Sequence, residues 1–245
     1  MKKAISTALV LSMTMLHAGV VFAQQAPAPT PAPAGGAAPA TPPAAAATPA
    51  PPPVMGFFIT SVGKGDGGNL GGLAGADAHC QTLAQAVGAG SRQWAAYLST
   101  QAVGGATAVN AKERIGTGPW YNQKLALIAT NPNTLHAPGN VNKATALNEK
   151  GEMINGRGDA TPLMHDIMTG TQKDGMAFAP EADRTCANWT SNVAGAPGGA
   201  MMGHHDLQGA PTDNYWQQAH ASNGCSEANV RQGGGAGLIY CFARL

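Results

Sequence analysis

The chain has few charged residues. Of its 245 residues, 14 are basic and 13 are acidic, together 11%, whereas an average soluble domain carries about 25%. The net charge of +1 argues against a nucleic-acid-binding protein, which would have a basic surplus. The 33 glycines argue against the long helices of a coiled coil. A hydrophobic content of 44% argues against a charged disordered chain. The composition indicates a loop-rich globular domain and a segment of low complexity.

The first 53 residues differ in kind from the rest. Residues 1–23 have the pattern of a secretory signal peptide, with two lysines, an apolar stretch and a small-residue cleavage site at Ala23; a retained membrane anchor is the alternative. Residues 24–53 contain 11 prolines, 12 alanines and no charge, which predicts an extended linker. No later stretch has the length and apolarity of a transmembrane helix. Residues 54–245 then form one domain.

Four cysteines in an exported chain predict two disulfides. A zinc site of paired cysteines would need Cys-x-x-Cys spacing, which the sequence lacks. The sequence alone allows three pairings. If strands at the two ends of the domain pair, Cys80 on the buried face of a helix can meet Cys241 on the last strand. That leaves Cys186 for Cys225, a nested arrangement.

Hydrophobic patterning predicts a small number of regular elements. Asp77 is expected in the first turn of the first helix, where its charge suits the helix dipole, and Asn110 with Glu113 resembles a capping box for a short second helix. Beyond residue 130 Gly, Asn, Asp and Pro dominate, which predicts a long-loop region over residues 131–235, where binding residues usually lie. The predicted elements are strands at 56–60, 94–98, 125–130 and 238–242 and a helix over 73–88.

Four segments carry a family resemblance by their order along the chain. They are Asp77-Ala78-His79-Cys80-Gln81, Trp94-Ala95-Ala96-Tyr97-Leu98-Ser99, Cys186-Ala187-Asn188-Trp189 and Tyr240-Cys241-Phe242. This order resembles the C-type-lectin-like fold, more closely its endostatin-like branch, and a family of exported proteobacterial lectin-like proteins. The resemblance implies an α+β domain with looped topology, two helices, a mixed antiparallel sheet, a long loop region and two nested disulfides.

The sequence departs from this family where sugar binding is concerned. Calcium-dependent members carry a Glu-Pro-Asn or Gln-Pro-Asp loop followed by Trp-Asn-Asp, and neither occurs here. The resemblance therefore implies a fold, and a fold does not by itself imply a function.

Candidate site residues lie mainly in the long-loop region. Oxygen-bearing side chains there, Asp183 among them, suit a saccharide or a structural calcium ion, and two neighbouring aromatic residues suit sugar stacking or a protein contact. The predicted ligand-binding residues are Asp166, Thr169, Thr171, Asp174, Asn188, Tyr215 and Trp216. The densest set of possible transition-metal ligands is His204, His205 and Asp206, with His220 downstream. Trp189, by contrast, is predicted to pack in the core.

No recognised catalytic motif is present. The sequence contains no Gly-x-Ser-x-Gly elbow and no His-Glu-x-x-His pair, and disulfide-bonded cysteines cannot act as nucleophiles. The function we expect is a periplasmic or secreted envelope module that recognises a glycan or a protein partner. The alternatives are a hydrolase whose active site is hidden in the polar loops and a purely structural envelope protein.

Overall fold

In this computed structural model the described residues are 28, 52–137, 139, 141–195, 198–208 and 215–244. The predicted signal peptide and, apart from residues 28, 52 and 53, the predicted linker lie outside them. The described residues form strands β1 (Phe57–Ile59), β2 (Trp94–Ala96), β3 (Trp120–Tyr121), β4 (Leu127–Ala129), β5 (Asp166–Met168), β6 (Met202–His204) and β7 (Gly235–Ala243). They also form helical segments α1 (Gly72–Ala86), α2 (Ala111–Arg114), α3 (Pro132–Leu135), α4 (Cys186–Trp189) and α5 (Glu227–Gln232).

The last strand, β7, is the centre of a mixed five-stranded sheet. Strands β1 and β2 both pair antiparallel with its C-terminal half, in registers that place Phe58 and Ala96 each opposite Cys241. Strand β5 pairs parallel with its N-terminal half, and β6 adds antiparallel to β5. Strands β3 and β4 form a separate antiparallel pair. The expected pairing of the first strand with the last is confirmed.

All nine residues of β7 are buried, because the sheet is covered on both faces. Alternate side chains enter two cores: Tyr240 and Phe242 pack with Phe57, whereas Ile239 packs with Phe58 on the other face. A strand buried on both faces has to be apolar at every position, which accounts for the continuous apolar run in the sequence. Burying a large apolar side chain of β7, such as Ile239 or Phe242, contributes about 1.5–3 kcal/mol.

Helix α1 covers one face of the sheet through Ala76, Cys80 and Ala84, which are all buried. The chain leaves the helix through Gly88 at φ 79°, a left-handed conformation that glycine adopts without strain. Cys80 then reaches Cys241 with a Cα–Cα distance of 5.6 Å. The predicted helix is confirmed.

The second disulfide lies within the interval that the first one encloses. Cys186 and Cys225 have a Cα–Cα distance of 5.5 Å and are separated by 39 residues, whereas Cys80 and Cys241 are separated by 161. The two disulfides and their nested pairing are confirmed.

Two predicted features of helix starts are wrong. Because α1 begins at Gly72, Asp77 lies beyond the first turn; its carboxylate instead accepts two hydrogen bonds of 2.8 Å from Arg114 and one of 2.9 Å from the Ala96 N–H. The side chain of Asn110 does not cap α2; it accepts a hydrogen bond from the Ala177 N–H at 2.9 Å. Both side chains hold distant segments together.

The described residues form more helical segments than the two predicted. One of these segments, α4, has an uncommon backbone conformation. Its four residues, Cys186 to Trp189, have φ between 48° and 67°, so α4 is a left-handed turn. Such backbone costs about 1–2 kcal/mol per non-glycine residue. The disulfide at Cys186 holds one end, and Trp189, fully buried as predicted, donates from Nε1 to the Ser99 carbonyl at 2.7 Å at the other.

We expect the disulfide between Cys80 and Cys241 to be a major contributor to stability. Replacing both cysteines by alanine should lower the free energy of unfolding by about 2–5 kcal/mol, because it removes the constraint between α1 and β7. Denaturant titration measures this loss. Peptide mapping without reduction should recover Cys80–Cys241 and Cys186–Cys225, and a peptide joining Cys80 to Cys186 would contradict the fold.

Candidate functional site

Ionisable side chains gather where β5 and β6 pair. Asp166 and His204 are opposite each other in that pair, and His165 immediately precedes Asp166. The register of β5 against β7 shifts between Asp166 and Ile167, and such an irregularity breaks the alternation of side chains along a strand. His165 and Asp166 can therefore reach the same place. His220 joins them from a segment whose backbone is hydrogen-bonded to β6. We call these four residues, His165, Asp166, His204 and His220, the His–Asp cluster.

Three imidazoles surround one carboxylate oxygen of this cluster. Oδ1 of Asp166 lies 3.1 Å from Nε2 of His165, 3.1 Å from Nε2 of His204 and 3.5 Å from Nε2 of His220. The rings of His165 and His204 stack with centroids 4.2 Å apart, and the His220 ring meets His204 edge-on at 5.0 Å. The side chains are at most 1% exposed except His220, which is 37% exposed. The cluster is therefore enclosed, with solvent access on the side of His220.

Within the described residues, much of this polar cluster has no hydrogen-bond partner. The buried atoms of the cluster without a hydrogen bond are both carboxylate oxygens of Asp166, Nε2 of His165 and both ring nitrogens of His204. The distances of 3.1 Å from Asp166 Oδ1 to Nε2 of His165 and of His204 are short enough for hydrogen bonds. The N–H directions of the two rings, however, do not meet the angles that a hydrogen bond requires. Burial favours the neutral form of Asp166, yet the neighbouring imidazoles outweigh it and hold the pKa of Asp166 below its ordinary value. The cluster thus contains a buried, ionised carboxylate, and burying such a charge is unfavourable unless a positively charged group lies beside it.

Asp206 lies behind the cluster and orients one of its rings. Its Oδ1 is 3.1 Å from Nδ1 of His165, and the two side chains are fully buried. The carboxylate also accepts hydrogen bonds from the backbone N–H groups of Arg157 at 2.7 Å and Gln208 at 3.1 Å. Burial opposes its charge, but the His165 contact and these two hydrogen bonds outweigh burial and set the pKa of Asp206 far below its ordinary value. An ionised Asp206 holds the Nδ1 proton of His165 and leaves Nε2 facing Asp166.

Of the predicted metal ligands His204, His205 and Asp206, only His204 belongs to the His–Asp cluster. His205 is buried but is not one of the four cluster residues, and burial lowers its pKa to about 4. His165 is not among the residues predicted from the sequence, and Asp166 is predicted only as a loop ligand. A signal for both exists, because a His-Asp dipeptide inside the otherwise apolar run Leu163–Met168 is unusual unless the charge has a partner.

Several predicted ligand-binding residues hold the loops together. Thr169 and Thr171 are buried and donate from Oγ1 to the carbonyls of Gln217 at 2.6 Å and Met176 at 2.8 Å. Trp216 is 2% exposed and packs against the rings of Tyr97 and Tyr240, at centroid distances of 4.8 and 5.1 Å. Asp174 is exposed, and Asn188 and Tyr215 are half-buried. The Lys173 ammonium lies 3.8 Å above the centre of the Tyr215 ring. A role for these residues in ligand binding stays a prediction.

The carboxylates proposed for calcium do not meet. Among the described residues, the group of three or more imidazole and carboxylate donors that converges is His165, Asp166 and His204. Asp174 accepts a hydrogen bond from the Met176 N–H at 3.0 Å, and Asp183 accepts one from the Ala187 N–H at 2.8 Å. A structural calcium ion stays a prediction, without a shared carboxylate group to support it.

A surface cleft of about 460 Å³ opens beside Asp174. Its lining residues are Lys112, Glu113, Pro132, Asn133, His136, Ala137 and Asp174. The His136 ring is fixed, because Nδ1 is 2.6 Å from the Pro132 carbonyl and Nε2 accepts from the Tyr97 hydroxyl at 2.7 Å. The cleft thus presents a fixed aromatic ring together with side chains of both charges and an amide.

Asn188 has a defined structural role, which leads to a prediction. Its side chain pairs with the backbone of Gln101, accepting from N–H at 2.8 Å and donating to C=O at 3.0 Å, and asparagine tolerates the left-handed backbone of α4. Asn188→Ala should lower the free energy of unfolding by about 1–3 kcal/mol, measured by denaturant titration. Asn223→Ala, at an exposed position, is the control and should leave stability unchanged. Equal stability of the two variants would contradict this role.

His136 predicts a pH dependence of stability. Burial is the main cause that lowers its pKa below 6.5, so the unfolded chain binds a proton more readily than the folded one. The contribution of neutral His136 is complete above about pH 6.5 and is lost as the pH falls toward the lower folded pKa. Urea titrations between about pH 5 and pH 7 should therefore show a smaller pH slope for His136→Gln than for the unsubstituted protein. An unchanged slope would exclude this contribution.

Comparison with known proteins leaves the fold class at a coarse level. No protein-family model matches the chain, and a search of curated proteins finds no similar sequence. The likeness to C-type-lectin-like domains therefore rests on the order of the sequence motifs. Over the part of the chain that it describes, the structure establishes a mixed α+β fold with five helical segments, mixed sheet pairing and two disulfides.

Proposed function

We propose that this protein is an exported binding module of the cell envelope that recognises a glycan through its long-loop region. The observation that carries the proposal is the cleft beside Asp174. Its volume of about 460 Å³ falls within the usual range for small-ligand sites, about 300–1,000 Å³. Lys112, Glu113 and Asn133 supply donors and acceptors for hydroxyl groups, and the His136 ring supplies an apolar face.

A protein partner is the second possibility, and the size of the cleft favours the glycan. A stable protein–protein interface buries roughly 800 Å² on each partner, much more than a cleft of this size provides. The cation–π pair of Lys173 with Tyr215 is the feature near Asp174 that would suit a protein surface. The binding experiment below distinguishes the two.

A hydrolase has less support than a binding module. The densest group of titratable side chains among the described residues is the His–Asp cluster, and three of its four side chains are at most 1% exposed. A substrate needs to touch the groups that act on it, and an enclosed cluster does not allow this.

An exported location accords with the covalent structure. The two disulfides are typical of oxidising compartments such as the periplasm or the cell exterior. No helix among the described residues combines the length and apolarity needed to cross a membrane. Location in the periplasm or at the cell surface is part of the proposal.

A glycan array with the exported protein, run with calcium and again with a chelator, tests this proposal. Asp174→Asn keeps the acceptor for the Met176 N–H but removes the charge, and should weaken glycan binding roughly 10- to 100-fold, because a hydrogen bond to a charged group is worth about 1.5–3 kcal/mol. Asp159→Asn is the matched control, since Asp159 lies outside the cleft and pairs with Lys143 at the surface.

The outcomes separate the alternatives. Binding that survives the chelator and is lost in Asp174→Asn supports glycan recognition in the cleft. Absence of glycan binding in both conditions, with capture of a defined envelope protein that Asp174→Asn abolishes, would assign the cleft to a protein partner. No binding of either kind would contradict the proposal.

A further inference from the structure

We propose that His165, Asp166, His204 and His220 hold one divalent transition-metal ion of the zinc class. Three of these donors converge and carry this inference: one ligand atom from each of His165, Asp166 and His204 lies within 4.8 Å of the others, and Nε2 of His220 lies 3.5 Å from the shared carboxylate oxygen. Ligand atoms about 2.0–2.1 Å from zinc at the corners of a tetrahedron lie roughly 3.3–3.4 Å from one another. Asp166 Oδ1 lies 3.1, 3.1 and 3.5 Å from the Nε2 atoms of His165, His204 and His220. The site is independent of the cleft and of glycan binding.

The unpartnered atoms indicate a metal rather than a hydrogen-bonded cluster. Both ring nitrogens of His204 and both oxygens of Asp166 are buried and lack hydrogen bonds within the described residues. Buried polar groups are nearly always satisfied, and a hydrogen-bonded cluster would direct N–H groups at the carboxylate. A cation at this place would satisfy the Asp166 carboxylate together with the buried lone pairs of His165 and His204.

Contacts outside the cluster aim the imidazoles. His165 donates from Nδ1 to Asp206, and Nδ1 of His220 is 3.1 Å from the Ala221 carbonyl. Histidine ligands in proteins are usually held in this way, because a contact at one nitrogen fixes the tautomer and the orientation of the ring. Asp206, predicted from the sequence as a ligand, is thus a positioning residue.

The backbone brings the donors together before any ion binds. Asp166 and His204 are register partners in the sheet. The His220 carbonyl accepts from the Met202 N–H at 2.8 Å, and the Ala219 N–H donates to the Met202 carbonyl at 2.6 Å. Little conformational entropy is lost when an ion enters such a site, which favours tight binding.

Gly233 leaves room beside the carboxylate. A Cβ at this position would lie 2.6 Å from Asp166 Oδ2 and 3.4 Å from His220 Cε1. Its φ of −79° is open to any residue, so the backbone does not demand glycine here. Gly233→Ala therefore crowds the site without removing a ligand and without backbone strain.

The donor set defines the class of metal. Three imidazoles and one carboxylate suit zinc, copper and nickel, whereas calcium and magnesium prefer oxygen ligands. Four protein ligands are typical of a closed, structural zinc site. The exposed edge of His220 gives the ion a path into the site.

Zinc binding to the untagged full-length protein, stripped with a chelator and dialysed, tests the inference. Calorimetry should find one equivalent of Zn²⁺ per chain, and the thermal midpoint should rise with zinc concentration. Asp206→Asn should weaken the affinity about 10- to 100-fold. His204→Ala, His220→Ala and Gly233→Ala should each lose the stoichiometric binding. The spectrum of the Co²⁺ form should be that of a four-coordinate tetrahedral ion.

His79→Ala is the matched control, because His79 is a half-buried histidine on α1 that is not part of the cluster and contacts the Val62 carbonyl; this variant should bind zinc normally. Because His204 is buried and its variant can fail to fold, His220→Ala and Gly233→Ala keep the test decisive, with the disulfide map and near-ultraviolet circular dichroism as checks of the fold. Absence of stoichiometric zinc binding in the folded protein would overturn the inference. Equal loss in His79→Ala, or normal binding in His220→Ala and Gly233→Ala, would also overturn it.

Discussion

The pairing of β7 with three other strands is the constraint on which the rest of the structure depends. It joins the two ends of the domain, because β1 and β2 both bind its C-terminal half. It also fixes β5, which pairs with the N-terminal half of β7 and in turn carries β6. The disulfide from Cys80 to Cys241 ties α1 to the same strand. Helix α1, the sheet and the His–Asp cluster are therefore all held in place by β7.

The burial of this sheet on both faces explains why some of the few charged side chains of the chain lie deep inside the domain. The ion pairs that lysine and arginine form among the described residues lie at or near the surface, as those of Asp77 with Arg114 and Arg244 do. Asp166 is different, because its carboxylate lies within a sheet covered on both faces. Burying such a charge is unfavourable unless a partner compensates it. The three imidazoles around it, and the orientation of His165 by Asp206, are arranged to provide that compensation.

The sequence predicts the framework well because local patterns determine it. The face formed by Ala76, Cys80 and Ala84 indicates α1, and the apolar run at the C-terminus indicates β7. The disulfide pairing follows once these two elements are placed. Details of helix starts are not predicted, since Asp77 and Asn110 bond to residues far along the chain. Rules of helix propensity and capping predict the contacts of such side chains only when no residue distant in the sequence competes for them.

The polar cluster is harder to predict, because its members come from three separate segments. His204, His205 and Asp206 are adjacent in sequence, yet β6 sends only His204 to Asp166, and Asp206 meets the far side of His165. The shift of register at Asp166 is what allows two consecutive residues to face one point, and no sequence pattern announces it. The surface cleft, in contrast, depends on loops held by Thr171 and the Tyr97–His136 bond. The surface cleft and the enclosed cluster thus make separate demands on the fold, so a substitution in one can leave the other intact.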